Sequence, residues 1–322
     1  MQQKITLLLI SALGTFDASR LVQSVQWSGR RGDAARRLSV QLLYDVNYPY
    51  LDIEDLTGVH CLFSVAGKEL FRGMCLTQDD TDGGNLTIKA CDRGYWLANN
   101  RDTFAYKNHT AAQVFRDICA RFSLSGTADD TGYVIPSIKL PAATAWDALQ
   151  NAMAATWRAT GRRYYVLCEQ DRLRLIRRVD NTVRLVLEPG ANLISYRRSL
   201  SLENVRTRVK IVNYLGSALS TQMDVALEAK IGILQDVERA EKGLPPAQYR
   251  ALAQKKLAEV SRPKMTLSVE ALGDADVITG KCAHLILPGR SGKSYYVEED
   301  MQTFDGAHTM RLQLIEVAEE YA

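Results

Sequence analysis

This 322-residue chain contains no CxxC pair, no HExxH and no GxSxG. The spacings that mark zinc sites, zinc proteases and serine hydrolases are therefore missing. Its six cysteines are scattered, and most sit among apolar neighbours, as Cys168 does in "YYVLC". They read as buried free thiols of a reducing compartment rather than a disulfide framework. Four histidines (His60, His109, His284, His308) lie far apart and form no ligand cluster. No apolar run approaches the ~18 residues that a membrane span needs. The opening "MQQKITLLLISALG" has one lysine and an apolar stretch broken by Thr6 and Ser11, so it reads as a first β-strand rather than an export signal. A net charge of +3 is too small to name a partner.

Two strings imitate ligand loops. In "LILPGRSGKSYYVEED" the run Gly289 to Ser294 looks like a phosphate cradle, but the glycine required five residues before the Gly-Lys pair is Leu287. The next residues, Tyr295-Tyr296-Val297, have a strand pattern and cannot open the helix whose N-terminus would face an anion. The run is expected to be a hairpin tip, with Gly289 and Gly292 turning the chain and Lys293 a solvated charge. "DDTDGGN" (Asp79 to Asn85) suggests a calcium loop, but Cys91 stands where an EF-hand needs Glu. Adjacent acids such as Glu298-Glu299 and Glu319-Glu320 would point to opposite faces of a strand, so they cannot share a substrate. No residue qualifies as a catalytic, cofactor-binding or metal-binding site, and no cofactor is expected.

The chain is rich in β pattern. Short, partly alternating segments fill the first hundred residues, separated by turn residues at Ser28-Gly29, Ala66-Gly67-Lys68 and Asp82-Gly83-Gly84-Asn85. Two capping boxes come next, Thr110 with Gln113 and Thr144 with Asp147, each opening a helix. The second helix carries Trp146, Leu149, Met153 and Trp157 as a core-packing stripe and stops at Gly161. Between them, Pro136 and Pro141 hold an extended piece. From Tyr164 β pattern resumes, with hairpin turns at Gln170-Asp171 and Asp180-Asn181. A third helix starts at Pro245-Pro246 and ends before Pro263. The order β, α, β, one helix, β excludes a doubly wound fold. The class is α+β, mainly β, with two barrel-like β domains around a small helical, mixed domain. The expected domains are 1–103 (β barrel-like), 104–200 (helical, mixed α+β) and 201–322 (β barrel-like with one helix).

Charge is unevenly spread. Residues 158–210 hold thirteen Lys and Arg against five acids, whereas residues 40–100 hold nine acids against four bases. The basic block could meet nucleic-acid phosphates. It better suits subunits that meet basic face to acidic face, where complementary charge sets register.

Taken in order, "LVQSVQWSGRRGDAARRLSVQLL", "GKELFRGMC", "CDRGYWLANNRDTFAYKNHTAAQVFRDIC", "SLENVRTRVKIV" and "GRSGKSYYVEEDMQTFDGAHTMRLQL" resemble baseplate hub proteins of contractile phage tails and tail-like bacteriocins. The resemblance is to the XkdQ/YqbQ-like family and, more distantly, to the late control protein D family. One departure is Gln302, where the family suggests histidine. The resemblance implies a non-enzymatic homotrimer that joins the hexameric tail tube to the trimeric spike and lines the lumen. Implied neighbours are the tail tube protein, the spike protein, a tape-measure protein and a LysM-type hub partner. There is no membrane insertion, and DNA enters only as passage through the lumen. Such a chain would be made in the bacterial host cytoplasm and end in the baseplate of a virion or tail-like particle. The alternatives are a peptidoglycan-degrading tail hydrolase, or a nucleic-acid-binding protein acting through the basic segment 158–210.

Overall fold

A computed structural model describes residues 4–44, 55–81, 84–178, 182–240 and 245–316. The chain forms two compact units, Met1–Tyr196 with Ser268–Ala322, and Arg197–Leu267.

The first unit opens with seven strands: β1 (Ile5–Ser11), β2 (Gly14–Asp17), β3 (Val22–Arg30), β4 (Arg37–Leu43), β5 (His60–Val65), β6 (Lys68–Thr81) and β7 (Asn85–Cys91). Helix α1 (Gly94–Asn99) leads into β8 (Arg101–Thr110), α2 (Ala111–Arg121), β9 (Gly126–Ala128), β10 (Val134–Thr144) and α3 (Ala145–Thr160). Then come β11 (Tyr164–Glu169), β12 (Arg172–Arg177), β13 (Thr182–Leu187) and β14 (Leu193–Ser201). The second unit holds β15 (Arg208–Val212), β16 (Ala218–Met223), α4 (Val225–Ile231), β17 (Gln235–Arg239) and α5 (Pro246–Val260). Strand β18 (Lys264–Leu272) precedes β19 (Cys282–Leu285), β20 (Lys293–Phe304) and β21 (His308–Glu316).

The protein is mainly β, spread over several sheets. The largest runs β14-β18-β21-β20-β3-β4-β7-β6-β5-β1-β2, with β13 and β19 attached beside β20. Among the described strands this is an open path, not a closed barrel. Strand β20 joins the two ends of the sequence: Gln302 faces Trp27 of β3 on one side and Met310 of β21 on the other.

Alternation builds the first core. Leu38, Val40 and Leu42 of β4, and Leu86, Ile88 and Ala90 of β7, point inward at every second position. A one-residue slip would turn each set to solvent, so the register is set by the pattern. Phe63 and Phe304 meet edge to face at 5.3 Å in this core. A second core gathers Phe104, Phe115, Ile118, Leu149 and Leu173 around α2 and α3. In the other unit, α5 lays Tyr249 and Ala253 against Val209 and Ile211 of β15.

Local chemistry sets the boundaries. Both capping boxes form: Gln113 N–H donates to Thr110 Oγ1 at 3.2 Å, and Asp147 N–H to Thr144 Oγ1 at 3.0 Å. We expect Thr144→Ala to cost about 1 kcal/mol of stability in chemical denaturation, and Thr144→Ser to recover most of it. The turns at Ala66-Gly67 and Gln170-Asp171 take positive φ at both residues (49° and 81°, 48° and 66°). That backbone closes two-residue hairpins with the twist of their strands. The expected turn at Asp180-Asn181 lies outside the described residues, as do Asp82, Gly83 and the Glu319-Glu320 pair. Ser28-Gly29, whose residue types suggest a turn, lies inside β3. The glycine serves space instead, because a Cβ there would stand 2.2 Å from Arg36 Nη1.

Candidate functional site

The hairpin tip between β19 and β20 carries the Gly289-to-Ser294 string. The register Leu285↔Lys293 and His284↔Ser294 confirms two antiparallel strands, with no helix to receive a phosphate. Gly289 turns the chain at φ 69°, but Gly292 has another role. A Cβ at Gly292 would lie 2.3 Å from His284 Nε2, so it leaves room for an imidazole. Lys293 is half exposed but is not a bare tip charge: its Nζ meets Glu316 Oε1 at 2.6 Å. Asp79, in the calcium-like string, pairs with Lys89 at 3.1 Å. Among the described residues no group of three His, Cys, Asp or Glu is placed to hold a metal, and the described cysteines are free thiols.

Part of the basic block is paired within the chain. Arg174 pairs with Glu169 at 2.6 Å. Arg178 is buried, stacks over Tyr296 at 3.8 Å and donates to Glu298 at 2.9 Å. Arg184's side chain lies outside the described residues.

The fold brings together a charged cluster that no local pattern announces. Arg36 donates from Nη1 and Nη2 to the two carboxylate oxygens of Asp300, at 2.8 and 2.6 Å. Its guanidinium lies 4.1 Å from the Trp27 ring centroid. Thr279 N–H adds a 2.7 Å bond to Asp300 Oδ1, and the Thr279 hydroxyl reaches both that oxygen and Gly29 O. Asp92 sits beside this pair and accepts from the backbone N–H groups of Gly94 (2.8 Å) and Arg36 (3.1 Å). Burial outweighs those bonds and pushes its carboxyl up to about 7. Gly94 permits the approach, since a Cβ there would stand 1.8 Å from Ala34 O.

Next to this cluster opens a cleft of about 350 Å³. One wall is the loop Arg31–Arg36; the facing residues are Trp146, Gln150, Met153 and Trp157 of α3, with Tyr165 of β11 and Gly280. Trp146 Nε1 and Gln150 Nε2 both donate to Gly32 O, at 2.8 and 3.0 Å, which ties the loop to the helix. Arg163 lies 4.0 Å over the Trp157 ring. The Tyr165 hydroxyl is buried without a hydrogen-bond partner among the described residues, and burial raises its pKa. The Trp/Met stripe thus divides: Leu149 is in the core, Trp146 and Met153 are half-buried against that core and also line the cleft, and Trp157 lines the cleft. Helix α3 packs through Ala145, Ala148, Leu149, Ala152 and Thr156, while Trp146, Met153 and Trp157 turn to the cleft. Neighbouring helix faces differ by a single residue step, so an apolar run on α3 fits either surface. The signal that could have separated them is the alanine stripe, which permits close backbone approach.

A family model described as YQBQ-like matches residues 25–315. The chain is 29% identical over 304 residues to the phage-like element PBSX protein XkdQ of Bacillus subtilis (strain 168), covering 92% of this chain and 93% of the relative. Its fold is similar to the 43 kDa tail protein of prophage MuSo2 from Shewanella oneidensis, with a TM-score of 0.72 at 12% identity, covering 98% of this chain and 100% of that one. It is also similar to the E. coli c3393 protein, a type VI secretion system component with structural similarity to T4 tail proteins gp27 and gp5. That TM-score is 0.57 at 10% identity, covering 94% and 75% of the two chains. The family match covers all but the first four residues of the collinear strings that carried the resemblance in sequence, and the chain belongs to the YQBQ-like family.

Proposed function

We propose that the protein is a structural, non-enzymatic baseplate hub subunit of a phage-type contractile tail or tail-like injection particle. One observation carries this reading: nearly the whole chain aligns, end to end, with a phage-like element protein, and nearly the whole fold overlays a prophage tail protein. A chain that borrowed one module from a tail would match over that module alone.

In this reading three copies form a ring, with β regions within 1–103 and 201–322 as barrel-like walls of a lumen and residues 104–200 outside or between them. The ring connects the hexameric tail tube to the trimeric spike. The tape-measure protein and a LysM-type partner are its other neighbours, and DNA only passes through. Ring closure uses heterologous contacts, in which one patch meets a different patch on the next copy. Exposed sheet edges are suited to that pairing.

Native mass measurement tests the reading, on the purified chain alone and mixed with a candidate spike protein. The expected species are a trimer and a trimer bound to spike. A chain that stays monomeric at every concentration and never joins a spike would overturn it.

A further inference from the structure

The cleft between α3 and the Arg31–Arg36 loop is built from residue types that anchor peptides. Tryptophan, tyrosine, methionine and arginine are the side chains most enriched at protein interfaces, and here Trp146, Met153, Trp157 and Tyr165 line one cavity. Its volume of about 350 Å³ accepts one large side chain with its flanking backbone, at the small end of the usual range for binding pockets. The walls are held before any ligand arrives, because Trp146 and Gln150 fix the loop through Gly32 O. A preformed cavity saves the ordering cost that weakens short-peptide binding.

The charge around the cleft says what fits. At the C-terminal end of α3, Arg158 and Arg162 are exposed and carry no ion pair among the described residues. They are the chain neighbours of Trp157 and Arg163, which line the cavity. Along the lining itself, Arg31 and Arg178 share Glu298 at 3.0 and 2.9 Å, Arg30 is paired with Glu299 at 3.8 Å and Arg36 with Asp300 at 2.6 Å, while Asp33 on the loop is an exposed carboxylate with no ion pair among the described residues. Asp92, on the cavity wall, has both carboxylate oxygens on backbone N–H groups. Positive charge therefore exceeds negative in two places: around Glu298, which two arginines share, and at Arg158 and Arg162, which adjoin lining residues along the chain.

We propose that this cleft is a docking site for an acidic segment of a partner protein, with one aromatic or large apolar side chain seated between Trp146, Met153 and Trp157. The flanking carboxylates meet Arg158 and Arg162. The inference stands on these residues whatever particle the chain serves. Single-stranded nucleic acid fits less well. It requires a basic groove that follows several phosphates and aromatic rings that stack successive bases. Here the excess positive charge sits at separate points rather than along a groove, and the aromatic rings line one hole.

Calorimetric titration of the full chain with acetyl-Glu-Glu-Phe-Glu-Glu-amide tests the site. The expected result is one peptide per chain with a Kd on the order of 100 µM. The Gly-for-Phe peptide should bind at least about tenfold more weakly, and the peptide with Lys in place of every Glu should not bind. Met153→Glu, which puts a negative charge on the wall, and Arg162→Glu, at an exposed position where folding is not at stake, should each weaken binding roughly tenfold. Circular dichroism melting shows whether Met153→Glu still folds; if it does not, Arg162→Glu decides. No saturation up to about 1 mM would overturn the proposal. So would equal binding of the Gly peptide, or an unchanged Kd in Arg162→Glu. An oligothymidylate that displaces the peptide and binds more tightly would assign the cleft to nucleic acid instead.

Discussion

Replacing Asp300 by alanine should lower the stability of the first unit by about 3–5 kcal/mol, because it leaves the Arg36 guanidinium buried without its counter-charge. The side chains of Arg36 and Asp300 are 8% and 0% exposed, and two parallel N–H···O bonds of 2.8 and 2.6 Å join them. The nearest other carboxyl, Asp92, is held by the backbone N–H groups of Gly94 and Arg36. The Thr279 hydroxyl and backbone N–H already bond to the Asp300 carboxylate, and the other face of Arg36 rests on Trp27. The pair also spans the junction that defines the unit, since Arg36 precedes β4 near the start of the chain and Asp300 lies on β20 near its end. For a unit of this size the loss should appear as a drop in Tm of roughly 10 °C. The double change Arg36→Met with Asp300→Leu should recover a large part of it, because a buried ion pair costs more to break than to replace with apolar groups. Thermal unfolding by circular dichroism measures all three proteins. A single Asp300→Ala variant melting within about 2 °C of the parent would show that the pair is incidental.

The features legible in the sequence are those whose cause is local. Ala66-Gly67 and Gln170-Asp171 adopt left-handed backbone because two-residue hairpins demand it, and Gly67 and Asp171 are the residue types at those positions that favour it. Thr110 and Thr144 cap helices through bonds that span only three residues. Strand β10 runs extended through Pro136 and Pro141, where proline fixes φ. Its partner β8, the short helices α1 and α4, and the direction faced by the Trp/Met stripe were not legible, because long-range packing decides them. Gly29 is the sharpest case. It resembles a turn glycine, yet it lies in a strand because a side chain 264 positions from its own ion-pair partner needs the room. Gln302 teaches the same lesson in reverse. Where the family suggests histidine, the buried glutamine donates to Val277 O and lies 2.9 Å from Nε2 of His308 on the neighbouring strand. The cleft itself joins residues 31–36, 146–157, 165 and 280, a combination that no window of sequence contains.

Lowering the pH should stabilise the parent protein relative to Asp92→Asn, against the usual direction for a carboxylate. Asp92 is enclosed beside the Arg36 cluster, and burial raises its carboxyl from 3.8 to about 7 despite the two backbone N–H bonds. The folded state therefore holds this proton more tightly than the unfolded chain does. The resulting stabilisation is fully present below the unfolded value of 3.8 and is lost as pH rises through about 7. That gap corresponds to about 4 kcal/mol in all, of which roughly 2–3 kcal/mol falls between pH 5 and pH 8. Other carboxylates act in the opposite sense. Hydrogen bonds from Ser19 hold Asp17 below its usual range, and the Lys68 ammonium does the same for Asp276. Their contribution is lost as pH falls, but it is common to the parent and the variant and cancels in the difference. Asparagine mimics the neutral acid and keeps an acceptor for Gly94 N–H, so its stability should lack the Asp92 component. Denaturant unfolding of both proteins at pH 5 and pH 8 provides the test. The stability difference should shift by about 2–3 kcal/mol in favour of Asp92→Asn at the higher pH. A difference that stays flat would mean that Asp92 is ionised in the folded protein, with the Arg36 guanidinium and the two backbone N–H groups outweighing its burial.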